Sequence, residues 1–184
     1  LKFGEEKVPN VICQPFNGVK TLRPQLFCDP RGVFLESYKE TTYRSLGIME
    51  TFVQDNFSTS IKNVLLGLHY NEKPQAQLVT VLKGQIYDVV VDLRPSADTL
   101  GKWYGTELTA SAISQIYMAP GFAHGFCVLS DCAHIHYKVS QFYDPNDNHG
   151  IRWNDETLKI NWPCSNPLVS DRDSLFGAFK DMVI

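Results

Sequence analysis

Lys83-Gly84 stands between two apolar stretches, Leu78 to Leu82 and Gln85 to Leu93. A glycine-containing pair between apolar runs is a hairpin signal, because glycine readily takes the positive φ that a tight turn needs. In the second stretch Tyr87, Val89, Val91 and Leu93 alternate with Asp88, Val90 and Asp92. That is period two with one face more polar than the other, and it predicts a strand. The hairpin therefore commits the middle of the chain to antiparallel β-structure. Further strands are predicted over Asn63 to Asn71, Gln115 to Ala119, Gly125 to Leu129 and Ala133 to Gln141. "PGFAHGF" (Pro120 to Phe126) lies enclosed among them.

Helical periodicity is scarce. Short helices are expected over Glu40 to Leu46, with Thr41 or Thr42 as the cap, and over Asp171 to Met182, with Ser170 as the cap. No repeat, low-complexity tract or linker interrupts the chain. Many short antiparallel strands in 184 residues predict one domain, residues 1–184, built as a barrel or a double-sheet jelly roll. Such folds often hold a ligand in their mouth.

Composition removes several function classes. Apolar residues at 43% allow an ordinary packed core. A net charge of −3 without a basic stripe argues against nucleic acid, yet leaves room for an anionic small molecule met by a few arginines. No apolar run approaches the ~18 residues of a membrane span. Leu1 to Pro9 is charged and lacks a signal-peptide core, and the first residue is not methionine. The five cysteines (Cys13, Cys28, Cys127, Cys132, Cys164) show no CxxC spacing, so reduced thiols in a cytoplasm are expected.

The residues able to do chemistry divide into groups. His69 and His124 each lie beside glycine in a strand or turn context. His134 and His136 share one strand face, which either is a polar sheet face or places two imidazoles on a metal. No third ligand follows at a matching spacing. His149, in "PNDNHG", reads as a loop residue. "DPRGVFLESY" (Asp29 to Tyr38) opens with a turn whose Arg31 either is simply exposed or presents its guanidinium to a phosphate. In "FVQDNFSTS" (Phe52 to Ser60), Gln54 and Asn56 have strand spacing and suit a sugar, a phosphate or a neighbouring backbone.

Taken in order, "DPRGVFLESY", "FVQDNFSTS", "GLHY", "GQIYDVVVDLR", "PGFAHGF", "YKVSQFY" and "IRWNDETLKINWP" closely resemble the dTDP-4-dehydrorhamnose 3,5-epimerase family, the RmlC-type cupins. The resemblance spans roughly Leu22 to Asp173. It implies a cupin jelly roll, a homodimer, no metal and no cofactor. It implies epimerisation of a nucleotide-diphosphate 4-keto-6-deoxy sugar through an enolate, at C3, C5 or both. Under it, His69 takes the place of the base, Asp173 of the carboxylate that orients it, and Tyr137 of the proton donor on the other ring face. His124 takes the place of a second pocket histidine and Arg31 of a diphosphate-binding arginine. Glu36, Gln54 and Asn56 match nucleotide and diphosphate contacts, and Phe142 or Tyr143 an aromatic that stacks on the nucleobase.

Two positions depart from the pattern. Leu66 stands where the family has an arginine, and Gln77 where it has a lysine, after a loop two residues shorter than usual. Both family residues are cations suited to an enolate oxygen, and one such donor is worth roughly 3 kcal/mol in known sites. Gln77, His124 or Lys73 could compensate, Lys73 only if its loop carries it into the site. The departures leave a second reading beside the epimerase, a nucleotide-sugar-binding homologue with little turnover. His134 and His136 carry a third, a metal-dependent cupin.

Overall fold

A computed structural model describes residues 8–182, so most of the expectation for Leu1 to Pro9 lies outside the described residues. The chain runs through β1 (Asn10–Phe16), β2 (Val19–Arg23), β3 (Leu26–Asp29), β4 (Gly32–Leu35), α1 (Glu40–Ser45), β5 (Gln54–Ile61) and β6 (Leu65–Tyr70). It continues through β7 (Gln77–Lys83), β8 (Gln85–Asp92), β9 (Trp103–Thr109), β10 (Gln115–Met118), β11 (Phe122–Val128), β12 (Cys132–Val139), β13 (His149–Gly150) and α2 (Asp171–Ser174). Six strands form one sheet in the order β1-β2-β10-β7-β12-β5, and five form a second in the order β13-β6-β11-β8-β9. β3 and β4 make a separate hairpin. The fold is mainly β with antiparallel pairing, a cupin-type jelly roll.

The core lies between the two sheets. Val79, Val81 and Ile135 from the first meet Ile86, Val90, Phe126 and Val128 from the second, all nearly inaccessible. Each side chain so buried contributes roughly 1.5–3 kcal/mol. A second apolar layer covers the outer face of the five-stranded sheet. There Leu68, Val89, Val91 and Ala123 pack under Ile151 and Leu158, which belong to the C-terminal segment.

That outer layer decides which way β8 faces. The strand is period two, but its more polar face does not meet solvent. Asp88 and Asp92 are completely buried, because the face they share with Val90 points between the sheets. Asp92 is matched there by Arg94 and Thr99.

The helices are shorter than periodicity suggested. α1 is close to its expected span, but Lys39 occupies the N-cap position without a side-chain cap, and Thr41 and Thr42 lie inside the helix. α2 starts where expected: the Asp173 amide donates to Ser170 Oγ at 3.1 Å. It ends after one turn. Beyond it the backbone turns to tertiary partners, with Arg152 N–H donating to the Gly177 carbonyl and Phe179 N–H to Asp155. A 3-10 turn, Phe179–Asp181, closes the described chain.

Strand bounds shift in one informative place. β11 begins at Phe122, so "PGFAHGF" is mostly strand rather than a connecting loop, and His124 is a strand residue. His149, expected in a loop, forms the two-residue strand β13 against β6 and stacks on Tyr70. All five cysteines are free. Cys127 and Cys164 bring their sulfurs to 2.9 Å, and burial, with Cys164 alongside, pushes the Cys127 thiol up to about 12. No helix among the described residues is long and apolar enough to cross a membrane.

Candidate active site

Between the sheets, at one end, opens a cavity of about 350 Å³. One wall carries Leu66 and His69 from β6, Asn71 just beyond it, and His124 and Phe126 from β11. The facing wall carries Gln54 and Asn56 from β5, Gln77 and Val79 from β7, and Tyr137 with its apolar neighbours Ile135 and Val139 from β12. Ser58 from β5, with Gln75, Tyr143 and Asn148, completes the lining.

His69 reaches this cavity through an irregularity in β6. Leu66 pairs with Phe126 and His69 with His124, so three steps on β6 match two on β11. That is a β-bulge, which inserts one residue and re-aims the side chains beyond it. In a regular strand Leu66 and His69 would face opposite ways. The bulge brings both to one face. Gly67 makes it possible. Its φ is +115°, and a Cβ there would lie 2.7 Å from Gly125 Cα and from the His124 carbonyl oxygen. Gly125 answers it across the ladder, since a Cβ there would meet the Leu66 carbonyl at 2.7 Å. Two glycines thus let the strands approach where the two histidines stand side by side.

Asp173 arrives from the first turn of α2, 104 residues further along the chain, and is 2% exposed. One carboxylate oxygen lies 3.0 Å from His69 Nε2, and the other accepts the Gly67 amide at 3.0 Å. Burial pushes this carboxyl up, but the hydrogen bonds from His69 and Gly67 outweigh it and hold the group at about 2. It is an anion that fixes the imidazole by one nitrogen. Arg172 adds a cation: its Nη2 is 3.2 Å from His69 Nε2 and its Nε 3.5 Å from Asp173 Oδ1.

His124 is built similarly from another direction. Its Nε2 lies 2.8 Å from Oδ2 of Asp88, which is wholly buried on β8. Oδ1 of Asp88 has no hydrogen-bond partner among the described residues. On the facing wall Tyr137 has no tie of this kind among the described residues. Burial alone pushes its phenol above the ordinary range, so it keeps its proton at neutral pH.

The structure therefore brings His69, Tyr137, Gln54, Asn56, Gln77, His124 and Tyr143 around one cavity, with Asp173 directly behind His69. Gln54 donates to Asn56 and accepts the Tyr143 amide, which braces that end. Three of the expected residues stand outside the cavity. Arg31 lies at the β3–β4 turn, its side chain 78% exposed and paired with Asp29 at 2.6 Å. Glu36 is exposed just beyond β4. Phe142 lines an adjoining hollow of about 310 Å³, together with Tyr143 and Lys73. The loop does not carry Lys73 into the site, because its ammonium is held by Asp144 at 2.6 Å. His134 and His136 face away from the cavity, against Phe57 and Asp55 respectively. Among the described residues no group of three or more His, Cys, Asp or Glu could hold a metal.

Residue-by-residue reading missed Asp88 and Arg172. Asp88 was visible as a charged residue within a strand otherwise rich in valine; Arg172 left no signal beyond its place next to Asp173.

Known proteins share this arrangement of strands. The family model for dTDP-4-dehydrorhamnose 3,5-epimerase matches residues 14–181. The chain belongs to the dTDP-4-dehydrorhamnose 3,5-epimerase family. It is 46% identical over 175 residues to the enzyme of that name from Shigella flexneri, covering 94% of this chain and 97% of the other. A dTDP-4-dehydrorhamnose 3-epimerase from Streptomyces niveus is 40% identical over 159 residues, covering 85% of this chain and 77% of the other. The crystal structure of a 3,5-epimerase from Legionella pneumophila in complex with dTDP-4-keto-L-rhamnose superposes with a TM-score of 0.91 at 38% identity, covering 95% and 94% of the two chains. These relatives are epimerases, and so isomerases, and they include both double and single epimerases.

Proposed function

We propose that this chain epimerises a nucleotide-linked 4-keto-6-deoxy sugar at C3, C5 or both, by proton transfer between His69 and Tyr137. The observation that carries the reading is one cavity with a carboxylate-backed imidazole on one wall and a half-buried, untied phenol on the other. A carbon α to a ketone is acidic enough for an imidazole base, and Asp173 supports the imidazolium that forms. Tyr137, on the far wall, returns a proton to the opposite ring face, which inverts the carbon. Family membership supports the reaction class, and the Legionella relative's bound ligand supports the kind of sugar.

Arg31, Glu36 and Phe142 enter this reading as contacts to the nucleotide and diphosphate. In one chain Arg31 and Glu36 stand off the cavity, so we place them in a homodimer whose second copy brings the exposed β3–β4 turn near it. Sedimentation at micromolar concentration checks this, a monomer counting against it. We place the protein in the cytoplasm, in keeping with its five free thiols.

A second reading is favoured by one fact: among the described residues no lysine or arginine lines the cavity. A nucleotide-sugar-binding homologue with little turnover would look the same. Incubation with dTDP-4-keto-6-deoxyglucose in deuterated water separates the two. Deuterium entering at C3 or C5 by NMR supports the epimerase. Tight binding without exchange, with this sugar and its GDP and CDP counterparts, supports the binder.

A further inference from the structure

Removing a proton next to a ketone drives negative charge onto the ketone oxygen, and a site must meet that charge. Here the lining offers carboxamides such as Gln77 and Asn148, which donate neutral hydrogen bonds, and no fixed cation. Ser58, Tyr137 and Tyr143 add hydroxyls, and on the wall of His69 the group able to bring a proton to such an oxygen is His124. Its backbone pairs with His69 across the β6–β11 ladder, so both imidazoles rise from one wall. One ring nitrogen is held by Asp88; the other has no partner among the described residues.

We propose that His124, held by Asp88, is a general acid that protonates the ketone oxygen, so that the reaction passes through a neutral enol. The inference rests on the epimerase reading. It is carried by Asp88, a carboxylate with no exposed surface, one oxygen on His124 and the other unpartnered among the described residues. A buried carboxylate matched so thinly is costly, and an imidazolium on its single partner removes the net charge. The carboxylate behind His69 is matched differently, by the Gly67 amide and Arg172 as well as the imidazole. Asp88 thus has His124 as its one ion-pair partner among the described residues, whereas Asp173 divides its charge among three groups.

The protons balance. His69 takes the α-proton, and the C–H electrons form the C=C bond. The carbonyl π electrons take the proton from His124, giving the enol. On return the enol O–H proton goes back to His124 as the carbonyl re-forms, and the C=C electrons take the Tyr137 hydroxyl proton on the other face. His69 is left protonated and Tyr137 ionised, and solvent exchange resets both. Asp88 touches no reacting atom, so it is a positioning residue.

The test uses the full chain with dTDP-4-keto-6-deoxyglucose in deuterated water, with dTDP affinity as the check that the site is intact. Asp88→Asn and His124→Gln should each lower the maximal exchange rate about 100-fold with KM changed by no more than about threefold. Gln77→Lys, added to Asp88→Asn, should restore the rate about tenfold, because a fixed cation meets the charge that the imidazole no longer does. Exchange within about threefold of the parent in both single variants would overturn the proposal. So would loss of dTDP binding in step with rate, or a failure of the lysine to rescue. A parent that exchanges no deuterium instead overturns the epimerase reading itself, so the two failures are told apart by the parent alone.

Discussion

The two walls of the cavity are built on different principles. On the wall of β6, β11 and β8, each imidazole is tied to a buried carboxylate, His69 to Asp173 and His124 to Asp88, and two glycines press the strands together. On the wall of β5, β12 and β7, Tyr137 stands among Val79, Ile135 and Val139 without a charged partner, and its acidity is weakened by burial alone. A base needs a fixed tautomer and a counter-charge for the proton it gains. An acid that gives its proton to carbon needs only to hold that proton until the charge arrives. The tied wall therefore depends on residues far apart in the chain, and the untied wall on local strand alternation.

His69→Ala would break the tied wall most severely. It should lower α-proton exchange on the order of 10³-fold, read by deuterium NMR. Tyr137→Phe breaks the other wall. Net inversion should fall about 100-fold while proton loss falls less, and equal effects on both would show that another group is the acid. Asp173→Asn tests whether the tie itself matters, and activity should drop roughly tenfold to a hundredfold.

The same variant has a signature in stability. The Asp173 carboxyl is depressed in the folded state from its ordinary 3.8 to about 2. A depressed carboxyl stabilises the fold above its unfolded value, and that stabilisation is lost as pH falls through the folded value. The native chain should therefore shed on the order of 2 kcal/mol between about pH 4 and pH 2, and Asp173→Asn should not. Denaturant melts across that window would show the difference.

Gly67→Ala sharpens the comparison from the backbone side. The new Cβ meets Gly125 at 2.7 Å with φ at +115°, so about 1–3 kcal/mol of stability should go. The smallest effect is expected outside both walls. Arg31→Ala should weaken dTDP binding about tenfold with little change in maximal rate, and an unaltered affinity would remove Arg31 from the diphosphate.

Much of the fold was legible because strand signals are local. The alternation of β8 and the cap at Ser170 each depend on a few adjacent residues, and each stands where expected. Lys83-Gly84 turns the chain but closes no hairpin: β7 pairs with β10 and β12, β8 with β11 and β9, so the turn carries the chain from one sheet to the other. The candidate site was legible for a different reason: His69, Tyr137 and Asp173 came from motif resemblance, not from periodicity. What failed to show were features set by contacts across the fold. α2 stops after one turn because Gly177 and Phe179 find partners in the segment at Arg152 and Asp155. The polar face of β8 turned inward because the C-terminal segment covers the other face with Ile151 and Leu158.

The sequence by itself determined that the chain would be built of antiparallel strands, which residues could carry protons, and that Leu66 and Gln77 left the site without the expected cations. Only the tertiary structure decided which of those residues meet. It set the bulge at Gly67 that turns His69 inward, seated Asp88 behind His124, kept Lys73 on Asp144, and left Arg31 off the cavity. The reason is range. Alternation and turns are written within a few residues, whereas a bulge register and a hydrogen bond across 104 residues exist only once distant strands have packed.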